Sequence, residues 1–110
     1  MRPLVSVIVP IYNAAPYLRE TLASIMASTY RPMEVVMVDD GSKDDSLQIA
    51  QDFCALHPEC HVISQPNQGV SVARNNSIRH AQGQYILPVD ADDMIASTLI
   101  EKAVQVIENN

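Results

Sequence analysis

Tyr85-Ile86-Leu87-Pro88-Val89-Asp90-Ala91-Asp92-Asp93 is an apolar run that ends in three carboxylates. Val35-Val36-Met37-Val38-Asp39-Asp40-Gly41-Ser42 repeats the arrangement upstream. Short apolar runs rich in β-branched residues read as buried strands. Acidic residues at the tips of such strands are costly, because like charges held close repel and one of them would normally protonate. A cation placed between them removes that cost. Oxygen ligands with no His or Cys beside them select a hard divalent ion, Mg²⁺ or Mn²⁺. Such an ion keeps open positions that phosphate oxygens can fill.

The rest of the chain supplies the scaffold. Residues 5–10 are nearly all β-branched and read as a first buried strand. Pro16 suits the first turn of a helix, and Leu18, Leu22, Ile25 and Met26 recur on one face of it. Tyr30-Arg31-Pro32 breaks that helix, and residues 34–39 form the second strand. Ser42 or Asp44 caps a second helix with Leu47, Ala50, Phe53 or Cys54, and Leu56 on its apolar side. His57-Pro58 ends it. Residues 61–64 form a third strand, and Pro66-Asn67-Gln68-Gly69 is a turn. Val70, Ala73, Ser77 and Ala81 mark a third helix closed by Gly83. Residues 84–89 are the fourth strand. Ser97 or Thr98 caps a last helix carrying Leu99, Ala103, Val106 and Ile107.

Strict alternation of strand and helix predicts an α/β fold, a Rossmann-like parallel sheet with helices on both faces. The commonest doubly wound arrangement gives strand order 3-2-1-4, with ligands at the carboxyl ends where the order reverses. Three tips then converge on one crevice: Pro10-Ile11-Tyr12-Asn13 in the middle, Asp39-Asp40 on one side, Asp90 to Asp93 on the other.

The chain's 110 residues suffice for one domain with one core. A net charge of −6 argues against a nucleic-acid partner, whose phosphates need a basic face. It also means that an anionic ligand needs local positive charge from a metal, a helix N-terminus or a single Arg. No apolar run approaches the roughly 20 residues of a membrane span. Met1-Arg2-Pro3 leads straight into a strand, so no signal peptide is expected. The expected location is the cytoplasm, with a membrane-associated full-length protein as the alternative. Cys54 and Cys60 read as reduced structural thiols. A zinc site built with His57 and His61 is disfavoured, since no second cysteine pair completes four ligands.

Each acidic or aromatic signal has a plainer reading. Asp90, Asp92 and Asp93 could cap the last helix, but one Asp would suffice. Asp39-Asp40-Gly41-Ser42 could be only a turn and a cap; alternatively, one carboxylate accepts a hydrogen bond from a ring-edge N–H. Tyr12 either packs or stacks on a flat base. Arg74, one of seven Lys and Arg residues, either pairs with Asp39 or Asp40 or reaches a diphosphate.

Four segments together resemble a known family. They are Val5-Ser6-Val7-Ile8-Val9-Pro10-Ile11-Tyr12-Asn13, Val38-Asp39-Asp40-Gly41-Ser42-Lys43-Asp44, Asn67-Gln68-Gly69 with Ala73-Arg74-Asn75, and Val89-Asp90-Ala91-Asp92-Asp93. In this order and spacing they look like the donor-binding half of family 2 glycosyltransferases with the GT-A fold. The resemblance spans essentially residues 1–110. It implies inverting transfer of a sugar from a nucleotide-diphosphate donor, a UDP-sugar first, to a glycan or lipid-linked acceptor, as in polysaccharide biosynthesis. It implies that Pro10, Tyr12, Asn13, Asp39, Asp40, Arg74, Asp90 and Ala91 bind the nucleotide. Tyr12 would stack on the base and Asp39 would bond its edge. Asp92 would be the chief ligand of Mn²⁺ or Mg²⁺, with Asp90 and Asp93 as further candidates.

The departures concern catalysis. Inversion needs a general base, which in the family lies well beyond the Asp-x-Asp segment. The last helix is all that separates Asp93 from Asn110, so the base is expected beyond Asn110. The chain is therefore expected to hold a donor site without the acceptor half. Pro88 replaces the usual apolar strand residue and is expected to remove a ladder donor; Ser77 stands where Gly is common. The uncovered fourth strand is expected to favour a homo-oligomer. Two other readings compete: a donor-binding fragment without turnover, and a Mg²⁺-dependent phosphoaspartyl or receiver-like domain. The latter needs a Lys near a later strand tip, and none lies between Lys43 and Lys102. A dinucleotide-dependent dehydrogenase is weaker still, as no G-x-G-x-x-G follows the first strand.

Overall fold

The computed structural model describes residues 2–109. Met1, read as the lead into the first strand, and Asn110, beyond which the general base is expected, lie outside the described residues. The elements alternate: β1 (Val5–Ile11), α1 (Ala15–Met26), β2 (Met33–Asp40), α2 (Ser46–Leu56), β3 (Cys60–Gln65), α3 (Val70–His80), β4 (Tyr85–Pro88) and α4 (Leu99–Glu108). The strands form one parallel sheet in the order β3-β2-β1-β4. This is the α/β architecture that the alternation predicts.

β1 and β2 are buried along their whole length, as central strands covered on both faces must be. Side chains alternate between the faces. Val5, Val7, Val9 and Ile11 join Met33, Val35 and Met37 in the main core with Leu18, Leu22 and Ile25 of α1, Ile49 and Ala50 of α2, and Ile100 and Val104 of α4. The opposite face carries Ser6, Ile8, Glu34, Val36 and Val38, and α3 covers its centre. The buried residues of α3 are Ala73 and Ser77. Their small size lets the helix lie close to the strands. The Ser77 hydroxyl donates to the Ala73 carbonyl at 2.8 Å, so it costs no unpaired polar group there.

This thinner face contains a buried carboxylate. Glu34 accepts from the Ser6 hydroxyl at 2.5 Å and from the Gln82 N–H at 2.7 Å. Ser6 Oγ in turn accepts from the Gly83 N–H at 2.8 Å. A Cβ on Gly83 would meet Ser6 Oγ at 2.5 Å and the Leu4 carbonyl at 2.8 Å. Gly83 is thus required by close approach to β1. It is not a left-handed helix cap, and α3 ends instead at Ala81 in extended backbone.

Three sequence expectations shift. The apolar face of α4 is Ile100 and Val104; Leu99, Val106 and Ile107 are exposed. On α2, Ile49 is buried with Ala50, while Leu56 is 79% exposed. Both helices carry two overlapping apolar stripes, and only the position of the sheet selects between them. Pro88 is the third. Tyr85 N–H and Val89 N–H both donate toward β1, to Leu4 and Ile8. Successive N–H groups alternate sides, so the missing donor at Pro88 faces the open edge and the β1 ladder loses nothing.

The caps resemble the expected ones only in part. Asp45 and Thr98 hold the N-cap positions of α2 and α4 without a side-chain cap bond. Asp44 instead accepts from the Ser46 N–H at 2.9 Å. Cys54 and Cys60 are free thiols, and burial pushes Cys60 up to about 12. No described helix is long and apolar enough to cross a membrane.

The α4 register has a direct test. Ile100→Ala should cost about 2–5 kcal/mol in urea unfolding, whereas Leu99→Ala should stay within about 0.5 kcal/mol. Equal losses would overturn the observed register.

Candidate functional site

The parallel sheet brings the carboxyl ends of β1, β2 and β4 to one edge, where the strand order reverses. A crevice opens there in two compartments. The first, about 300 Å³, is lined by Pro10, Ile11, Tyr12, Asp40, Asn67 and Gly69, with Val70 and Ala73 of α3. The second, about 250 Å³, adds Asn13, Ala14 and Tyr17 on one side and Asp90, Ala91 and Asp92 on the other. Pro10, Tyr12 and Val70 belong to both. Tyr12, 47% exposed, stands where the two meet.

The walls are fixed by hydrogen bonds between loops. Asn13 is left-handed at φ 51°, a conformation Asn tolerates. Its N–H donates to Ser42 Oγ at 2.9 Å, and its Oδ1 accepts from the Lys43 N–H at 2.8 Å. Ala14 N–H donates to Ser46 Oγ and Ala15 N–H to Asp44 Oδ2. The loop after β1 is thereby fastened to the loop after β2. The loop after β4 is fastened to α1. Thr21 Oγ1 donates to the Ala91 carbonyl at 2.9 Å, and Ile95 N–H donates to Ser24 Oγ at 3.1 Å.

Asp40 ties the remaining wall. Its Oδ1 accepts from Gln65 Nε2 and the Gln68 N–H, both at 2.8 Å. Its Oδ2 accepts from the Gly69 N–H at 3.0 Å and from Asn67 Nδ2 at 3.3 Å. Burial alone would raise this carboxyl; the bonds from Gln65, Gln68 and Gly69 outweigh it and hold the pKa below the ordinary 3.8. Gly41, at φ 73°, makes the turn possible, since a Cβ there would lie 2.7 Å from the Asn67 nitrogen. Gly69, the N-cap of α3, lines the crevice together with Val70 at the start of that helix.

Sequence reasoning assigned the ring-edge contact to Asp39, whose place in the structure is off the crevice. Asp39 is 1% exposed and lines neither compartment. Its Oδ2 accepts from the Ser42 N–H at 3.1 Å, and its Oδ1 has no partner. Strand alternation points Asp39 toward the α1 and α2 side and Asp40 toward α3. Arg74 pairs with neither Asp39 nor Asp40 among the described residues. It lies four residues after Val70, on the same side of α3 and half-buried.

Asp90, Asp92 and Asp93 are exposed, and an oxygen from each lies within 4.8 Å of the others. None of these carboxylates accepts a hydrogen bond from a described residue. Three free oxygen ligands of one sign match a hard divalent cation. Cys54, Cys60, His57 and His61 form no such group among the described residues. Tyr17, Thr21, Ser24, Ser46 and Asn67 escaped sequence reasoning as site residues. Tyr17 had a signal, an aromatic in the first turn of a helix and off its Leu18, Leu22 and Ile25 stripe; the others act through contacts that only folding creates.

Residues 6–110 match the family described as glycosyl transferase family 2. The uncharacterised glycosyltransferase EpsJ of Bacillus subtilis is 40% identical over all of this chain and 32% of its own length. Chondroitin synthase of Escherichia coli is 39% identical over 90% of this chain and 14% of its own. The first relatives are about three times as long as the chain, which covers 28–36% of three of them. Among solved structures, Staphylococcus aureus TarS 1-349 in complex with UDP-GlcNAc superposes with TM-score 0.89 at 33% identity, over 99% of this chain and 32% of that one. The mannosyltransferase PcManGT of Pyrobaculum calidifontis, in complex with GDP-Man and Mn²⁺, gives 0.88 at 33% identity, over 96% of this chain and 32% of that one.

The hydrogen bonds at the crevice set an acid limit. Asp44 is also held below 3.8, because its bonds from Ser46 and the Ala15 N–H outweigh burial. Folded pKa values lowered below the unfolded value contribute stability above about pH 4, which is lost as pH falls through the lowered native values. Thermal melts should therefore be flat in this respect from pH 7 to about 5 and decline below 3.8. Asp40→Asn should flatten that decline; an unchanged acid profile in the variant would refute the assignment.

Proposed function

The chain belongs to glycosyl transferase family 2, and from that premise we propose that the crevice binds a nucleotide-diphosphate sugar with a divalent metal ion. The observation that carries this reading is the division of the crevice. One compartment offers an aromatic ring and amide groups; the adjoining one offers the free carboxylates of Asp90 and Asp92, with that of Asp93 beside them. The base enters the first, against Tyr12. The Asn67 contact to Asp40, long at 3.3 Å, is the one that a ring N–H displaces. Asp40 thus takes the role first given to Asp39.

The diphosphate lies in the second compartment. Asp92, with Asp90 and Asp93, would hold Mn²⁺ or Mg²⁺. The ion supplies Lewis-acid neutralisation of charge growing on the leaving diphosphate. The N-terminus of α3 favours the same anion, and Arg74 is the cation placed to approach it. UDP-GlcNAc in TarS and GDP-Man with Mn²⁺ in PcManGT support this class of donor. The transfer is inverting: an acceptor hydroxyl of a glycan or lipid-linked glycan attacks the anomeric carbon as the bond to the diphosphate breaks. The base that takes the hydroxyl proton is not assigned to any described residue. Glu101 is paired with Arg2, and Glu108 accepts from the Tyr85 hydroxyl, so neither faces the crevice.

Calorimetry with UDP and GDP tests the reading. Affinity for at least one should rise with Mn²⁺ or Mg²⁺ over chelator. A concentration of one hundred times Kd should stabilise the fold by about 2.7 kcal/mol. Asp92→Asn should abolish the metal effect and leave the protein folded. Equal affinity with metal and chelator sinks the proposal.

We place self-association at β4, which pairs only with β1 and exposes Ile86. Sedimentation should show a dimer or larger species at high concentration. A clean monomer would overturn this part alone.

A further inference from the structure

Resting on the donor-site reading, we infer that Tyr17 is a donor-binding residue, whose hydroxyl holds the diphosphate and sugar end of the nucleotide sugar. Four tyrosines separate into two pairs. The Tyr30 hydroxyl donates to the Pro3 carbonyl, and the Tyr85 hydroxyl donates to Glu108. The hydroxyls of Tyr12 and Tyr17 make no hydrogen bond with described residues; the two side chains are 47% and 55% exposed and line the same compartment. α1 needs nothing from Tyr17 for packing, since its buried positions are Leu18, Thr21, Leu22 and Ile25.

The Tyr17 backbone is held firmly. Its N–H donates to the Ala14 carbonyl at 2.9 Å. The Ala14 and Ala15 N–H groups are anchored to Ser46 and Asp44. A phenol on so fixed a turn is preorganised for a ligand. The compartment's chemistry gives it a task. Asp90 and Asp92 are in the wall, and no Lys, Arg or His is. Phosphate and sugar oxygens that face neither the metal nor Arg74 therefore need neutral donors, and the Tyr17 hydroxyl is one that the wall supplies.

Titration calorimetry with Mn²⁺ separates the possibilities. UDP and GDP are titrated into the wild-type chain, and the tighter one is carried forward with its own nucleoside. Tyr17→Phe keeps the ring and removes only the hydroxyl. It should weaken the diphosphate about 3- to 10-fold, the worth of one hydrogen bond, and leave nucleoside affinity and melting temperature unchanged. Tyr12→Ala should weaken both ligands. Wild-type affinity for the diphosphate in Tyr17→Phe, or an equal loss for nucleoside and diphosphate, overturns the inference. Failure of wild type to bind either diphosphate overturns the donor-site reading first, a result legible without the variant.

Discussion

A buried carboxylate at the tip of a central strand must find donors or lose its charge. Asp40 finds them in the segment after β3. Gln65, Gln68 and Gly69, with Asn67, satisfy both its oxygens. The consequence is geometric. The start of α3 is drawn over the end of β2, so Gly69 and Val70 close one side of the crevice. Gly41 permits the approach, because any side chain there would strike the Asn67 backbone. Without this anchor the helix N-terminus would not be aimed at the place where β1 and β4 part.

The other walls follow the same economy. Hydroxyl groups of Ser42, Ser46, Thr21 and Ser24 fasten one loop to another. These bonds engage backbone groups that the loops would otherwise leave unpaired. Against this satisfied frame the side chains of Asp90, Asp92 and Asp93 stand apart, close together and without hydrogen-bond donors. Glu34 and Asp40 are buried and bonded, Glu34 by two donors on Oε2 and Asp40 on both oxygens. The contrast separates carboxylates that hold the frame together from those left free for a cation. Asp39 is intermediate, with one oxygen bonded and one orphaned behind the wall.

The two faces of the sheet divide the work. Three helices bury the larger apolar core on one face. The other face is covered at its centre by α3 alone, through Ala73 and Ser77. That asymmetry places the one close-packed helix so that its first turn borders the crevice. It also leaves Ile86 and Pro88 of β4 exposed on that side.

The sequence by itself determined the class of fold, since eight elements alternate and β1 and β2 are too apolar to lie anywhere but the middle. It also determined that acidic tips meet, because parallel strands put like ends together. Tyr12, Asn13, Asp90 and Asp92 could be located on the crevice from that alone. Tertiary structure decided what local patterns leave degenerate. Helices α2 and α4 each carry two apolar stripes, and contact with the sheet chose Ile49, Ile100 and Val104 over Leu56, Leu99 and Val106. Adjacent Asp39 and Asp40 are chemically identical in sequence, yet a strand sends neighbours to opposite faces. Only the side on which α3 lies made Asp40 the wall and Asp39 the buried neighbour. Tyr17 and Thr21 joined the crevice for a similar reason: Thr21 bonds the Ala91 carbonyl and Tyr17 lines a compartment with Asp90 and Asp92, all far along the chain, and no local rule connects them until the loops are packed.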